Sequence, residues 1–120
     1  MKPINIKFIP QCEQRYNTVG DYWETEDSIE IRITAFEHKN HGYLILVHEL
    51  IEMILCRDRY IFDGTIDDWD MNYTGTYTEP GDDPKAPYHK EHVYAGIIER
   101  LFAHELQENW DAYDNALDET

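Results

Sequence analysis

The chain has 120 residues and carries 10 Lys+Arg against 25 Asp+Glu, a formal net charge of -15. This length supports one domain with a small core, and 42% hydrophobic residues with 13% aromatics exclude a disordered chain. The charge excludes a sequence-independent grip on nucleic-acid phosphates, which needs clustered Lys and Arg. No run reaches the roughly 18 apolar residues of a membrane span. Met1 to Lys7 lacks the apolar core of a signal peptide. Cys12 and Cys56 read as reduced thiols, so the expected location is cytoplasmic.

Ile4-Asn5-Ile6-Lys7-Phe8-Ile9 alternates apolar and polar residues, the pattern of a half-buried strand. Pro10 ends it, because proline has no N–H for the ladder. Gln11 to Gly20 reads as a polar loop, with a turn at Val19-Gly20-Asp21. Tyr22-Trp23-Glu24 is a short strand, and Ile29 to Thr34 alternates cleanly. A polar turn, Glu37 to Gly42, precedes a strong helix from Tyr43 to Arg59, which has good formers and no Gly or Pro. Residues 60–87, with Asp63-Gly64, Thr74-Gly75, Pro80-Gly81, Pro84 and Pro87, read as a long turn-rich loop with at most one short strand. A second helix is expected from about Tyr88 to Trp110, with Tyr94, Ile97, Ile98, Leu101 and Phe102 on its apolar side. The tail, 111–120, is acidic and reads as frayed. The order predicts one α+β domain over residues 1–120: a small antiparallel or mixed sheet with two main helices packed on one face.

The chemistry concentrates in Val47-His48-Glu49-Leu50-Ile51-Glu52. His48 and Glu52 are four apart on a helix and stack on one face, so both can ligate one divalent metal. Glu49, about 100° round the helix, can act as general base on a metal-bound water. The spacing is that of the HExxH helix of zinc peptidases, with Glu52 in the place of the second His. Around this helix the polar sector is narrow and includes Ile45 and Cys56, which suits a partly covered cleft better than open solvent.

A third ligand is expected from Asp82-Asp83 or from His89-Lys90-Glu91-His92 at the start of the second helix. Glu91 and His92 lie on or near its apolar side and can approach His48 and Glu52, while His89 points elsewhere. A His48–Glu52–His92 set leaves an open position for water, as catalytic sites do. Glu91 is the alternative ligand, or orients His92. His38, His41 and His104 read as surface residues, and the three tryptophans as core or cleft lining.

Val47 to Glu52, Leu55-Cys56-Arg57, Glu79 to Pro84 and Ala86 to His92 occur together with Gln14-Arg15-Tyr16 and Thr18 to Asp21. In this combination, over most of the chain, the sequence resembles a family of small, uncharacterised phage and prophage proteins. The resemblance implies a minimal zincin-like fold, a few strands followed by the site helix, and a host cytoplasm as location. Two departures from peptidase motifs matter. Glu52 replaces the second His of HExxH, and Tyr88 replaces the first His of the inverted HxxEH motif. Zn²⁺ is expected first, and the carboxylate ligand hardens the site, which makes Mn²⁺, Fe²⁺ or Ca²⁺ the alternatives.

The expected function is a peptidase-like metal-dependent hydrolase, acting on a peptide or small molecule, with His48, Glu52 and His92 on the metal and Glu49 as base. The alternative is a non-catalytic zincin-like phage accessory protein that binds a protein partner. An acidic mimic of DNA is the least supported, because the acidic residues show no phosphate-like spacing.

Overall fold

The computed structural model describes residues 1–120. Strand β1 (Ile4–Ile9), β2 (Gly20–Glu24) and β3 (Ile29–Thr34) form one sheet in the order β1-β3-β2. β1 runs parallel to β3, with Ile4 opposite Ile29, and β2 runs antiparallel to it, with Gly20 opposite Ile33. The fold is α+β and the sheet is mixed. β3 is central because its alternation is clean: Ile29, Ile31 and Ile33 all face the core, while Glu30 and Arg32 pair with each other. β2 begins two residues earlier than expected, so the turn expected at Val19-Gly20-Asp21 is replaced by strand.

Helix α1 (Lys39–Asp58) covers the sheet with Leu44, Ile45, Met53 and Cys56. It starts a turn earlier than Tyr43, and Gly42, expected in a turn, lies inside it. A Cβ there would come 3.1 Å from the Phe8 ring, so glycine permits close approach of helix and β1.

The expected loop 60–87 is instead partly helical. Helix α2 (Asp63–Met71) sends Ile66 into the core, and a short 3-10 turn spans Pro80–Asp82. Trp69 donates from Nε1 to the carbonyl of Pro80, tying the two together. The Asp63-Gly64 pair reads locally as a turn, and packing of Ile66 overrides it.

The expected helix Tyr88–Trp110 is two helices, α3 (His89–Glu105) and α4 (Trp110–Asp118). Gln107, at φ 57, breaks them: its N–H reaches the carbonyl of His104 and that of Glu108 reaches Ala103. This is a Schellman ending with a non-glycine residue in the left-handed position. Asn109 then caps α4 by accepting from the N–H of Ala112. The tail 111–120 is therefore not frayed, and Tyr113 within it is fully buried.

The apolar side assigned to the second helix is also corrected. Tyr94, Ile97 and Leu101 are 50%, 54% and 62% exposed, and the inward side of α3 carries Glu91, His92, Ala95, Glu99 and Ala103. The alanines let α3 lie close to α1, and the polar side chains find partners between the helices. No helix is long and apolar enough to cross a membrane.

α1 ends as α3 does. Tyr60 sits at φ 57, Ile61 N–H reaches the carbonyl of Cys56, and Tyr60 is 78% exposed. A left-handed L-residue costs roughly 1–2 kcal/mol, and glycine adds roughly 0.5–1 kcal/mol of chain entropy. Tyr60→Gly is expected to stabilise the fold by about 0.5–1 kcal/mol, read from the urea midpoint.

Candidate metal centre

α1 presents His48 and Glu52 one turn apart, and α3 brings His92 against them. His48 Nε2 lies 3.1 Å from Glu52 Oε2 and 3.2 Å from His92 Nδ1, and His92 Nδ1 lies 2.9 Å from the same Glu52 oxygen. All three residues are buried, and they form a group that could hold a metal ion. Around zinc at roughly 2.0–2.1 Å, the edge of a tetrahedron is about 3.3 Å. The observed triangle is within a few tenths of an ångström of that.

Each ligand has a partner behind it. His48 Nδ1 lies 2.7 Å from Glu99 Oε1, and the Tyr113 hydroxyl donates to the other oxygen of Glu99 at 2.5 Å. His92 Nε2 lies 3.0 Å from Asp82 Oδ1. Tyr22 donates from its hydroxyl to Glu52 Oε1 at 2.8 Å. A carboxylate behind an imidazole fixes the proton on the far nitrogen and turns the near lone pair toward the centre. Glu99→Gln is expected to weaken metal affinity about 10- to 100-fold, measured against a competing chelator.

The electrostatics follow from burial and these bonds. Burial alone would lower the pKa of His48, but its hydrogen bonds to Glu52 and Glu99 outweigh that and hold it well above the usual imidazole value. For His92 burial is likewise overcome, by Asp82 and Glu52, to about 10. Burial would raise Glu52, yet the two imidazoles hold it at about 2. Protons therefore compete with a metal for both imidazoles. The metal-free state binds more protons, so affinity rises with pH. The expected result is proton release on metal binding and an affinity that rises with pH through the neutral range. Calorimetry in buffers of different ionisation enthalpy measures it.

Glu49 makes none of the hydrogen bonds that tie these residues together. Burial, with the Glu52 charge, holds its carboxyl well above the usual carboxylate range. It packs against Gly20 of β2, where a Cβ would come 2.6 Å from its Cγ and 2.7 Å from Oε1. Glycine at this position leaves the Glu49 side chain its space. A cavity of about 570 Å³ opens beside it, lined among others by His48, Glu49, Glu52, Asp70, Tyr88 and His92. Asp70 accepts hydroxyl hydrogen bonds from Tyr16 at 2.9 Å and from Tyr88, and burial raises its pKa to about 6.

The sequence left Glu91 and His92 open as third ligand, and the structure brings only His92 to the triangle. Glu91 instead accepts from Arg59 Nη1 at 2.6 Å. His89 faces the carbonyl of Gly81, and Asp83 accepts from Tyr73 and from the N–H of Lys85. Asp82 stands behind His92 rather than beside His48. Cys56 lies against the Tyr22 hydroxyl with burial pushing its thiol up to about 12, so it stays a neutral packing group. His104 is exposed. Sequence reading missed Glu99, Tyr113, Tyr22 and Asp70. Only Glu99 had a signal: it lies seven residues after His92, two turns along the same helical face. Family models, curated proteins and solved structures offer no match to this chain.

Proposed function

We propose that this protein is a metal-dependent hydrolase acting on an amide or ester carbonyl, with peptides as the leading substrate class. The observation that carries this reading is the triangle of His48, Glu52 and His92. A carboxylate stands behind each imidazole, and the uncommitted carboxylate of Glu49 sits beside a cavity. Two imidazoles at near-tetrahedral spacing favour Zn²⁺. Mn²⁺ and Fe²⁺ suit the single carboxylate, whereas Ca²⁺ takes six to eight oxygens and fits least well.

A divalent ion held there supplies Lewis-acid polarisation of a carbonyl and makes water more acidic. Glu49 accepts the proton from water entering the cavity and returns it to the leaving group. Burial raises the affinity of its carboxylate for that proton, as a base requires. The acidic walls, Asp70, Glu79 and Asp82 among them, repel phosphate esters and favour neutral or cationic acyl substrates. In this reading the chain is a minimal zincin-like enzyme, of phage or prophage type by its motifs, working in the host cytoplasm. Zinc-loaded protein offered a mixture of short peptides tests it by mass spectrometry. Cleavage that a chelator stops and zinc restores is expected. Intact peptides at every zinc level would sink the catalytic reading.

One observation favours a second reading, a non-catalytic interaction module. On α3, Tyr94, Ile97 and Leu101 form an exposed stripe spaced by three and four residues, with Lys90 before it and Glu105 after it. An antiparallel second copy of the chain would set Lys90 near Glu105 at both ends. Salt would strengthen such pairing by screening two surfaces of net charge -15. Sedimentation equilibrium tests it: a dimer lost in Ile97→Asp supports the reading, and a monomer at all concentrations and salts removes it.

A further inference from the structure

The geometry points to a second metal site, at the start of α1, built by His38, His41 and Glu108 and suited to Zn²⁺ or another borderline divalent ion that takes imidazole. One ligand atom from each residue lies within 4.8 Å of the other two. The histidines are three apart at the helix start, and their rings meet edge-on with centroids 4.5 Å apart. Glu108 comes from the connector between α3 and α4, seventy residues after His38.

Three features of the fold hold these residues together. The left-handed turn at Gln107, closed by the Glu108 N–H on the carbonyl of Ala103, delivers Glu108 to the α1 start. Asn40 Nδ2 donates to Glu108 Oε1 at 2.9 Å, and His38 Nε2 lies 2.6 Å from the same oxygen. His41 is wedged between the rings of Phe36 and Tyr113, with centroids 6.1 and 5.2 Å away. The ligand atoms lie within 4.8 Å of one another, and the edge of a zinc tetrahedron is about 3.3 Å. The His38 side chain is 52% exposed and is free to adjust to an ion by rotating. The α1 N-terminus disfavours a cation, by about two- to fivefold in affinity. That is small beside what three ligands contribute. His41 and His48 are seven residues apart on α1, about 10 Å, too far to share an ion with the first centre. An exposed site with two strong nitrogen ligands binds more weakly than the buried one and responds to free metal. It ties the α1 start to the α3–α4 connector, which sequence alone keeps apart.

The test is titration of metal-free, full-length protein with Zn²⁺ by calorimetry, with imidazole ¹⁵N signals followed in parallel. Two classes of equivalent are expected, the weaker one shifting the His38 and His41 rings. His38→Gln and Glu108→Gln, both near the surface, should each weaken that class at least tenfold and leave the tighter one intact. His48→Ala should do the reverse. A single class in the wild type that His38→Gln does not touch would overturn the proposal, as would a second class surviving both substitutions. If only the weaker class exists and His38→Gln removes it, this site stands and the buried centre falls.

Discussion

Glu49→Gln is expected to keep its zinc and to lose about 10²–10⁴-fold in hydrolytic rate. The expectation follows from a division of labour in the structure. His48, Glu52 and His92 are engaged with one another and with the groups behind them, whereas Glu49 is tied to none of them. Glutamine preserves size and removes only the proton acceptor. A loss in kcat with metal content unchanged identifies a base. A loss of metal would instead make Glu49 a ligand. Gly20→Ala is the companion variant. Its Cβ would occupy the space of the Glu49 carboxylate, 2.6 Å from Cγ, so it should lower activity by displacing the side chain while the native glutamate remains. An active Gly20→Ala protein would show that the position of Glu49 is immaterial.

The second large effect concerns stability without metal. Glu52 is 5% exposed and lies against two imidazoles and the Tyr22 hydroxyl. Replacing one member of a buried charged network leaves the others uncompensated, which costs about 3–5 kcal/mol. Glu52→Gln in metal-free protein is therefore expected to unfold at distinctly lower urea, against a total stability of about 5–15 kcal/mol for a domain. Glu52 is held at about pKa 2 in the fold, below the unfolded carboxyl. Its contribution is present above the unfolded pKa and is lost as pH falls toward 2. Zinc should stabilise the wild type by about 2.7 kcal/mol at a hundredfold excess over Kd and leave the variant nearly unchanged. Equal urea midpoints for the two metal-free proteins would show that the cluster contributes no net stability.

The strands and the first helix were legible because their patterns are local. Ile29, Ile31 and Ile33 alternate without interruption, and the helix around His48 has no breaker from Tyr43 to Asp58. His48 and Glu52 were legible because i, i+4 spacing fixes their shared face whatever the fold. The second helix shows where this logic fails. Its apolar stripe, Tyr94, Ile97 and Leu101, faces out, because the inward face is occupied by Glu91, His92 and Glu99, whose polar atoms pair across the helix interface. Periodicity identifies a helix but not which face is buried when buried polar groups satisfy one another. α4 was missed for a related reason. Its acidic residues hide the one position that matters, Tyr113, whose hydroxyl reaches Glu99 fourteen residues back in sequence. The Asn109 cap was the local sign that a new helix begins there. Within 60–87, the glycine and the aspartates around Ile66 concealed α2, which packs Ile66 and Trp69 on the core.

The most direct measurement is the metal content of protein purified without chelator or nickel column and dialysed to remove loosely held ions. It should be made on the wild type and on His48→Ala, His92→Ala and Glu91→Ala. About one equivalent of zinc is expected in the wild type and in Glu91→Ala, and none in the two histidine variants. A wild type that holds no metal even after zinc is supplied, or a His92→Ala protein that keeps it while Glu91→Ala loses it, would contradict the centre described.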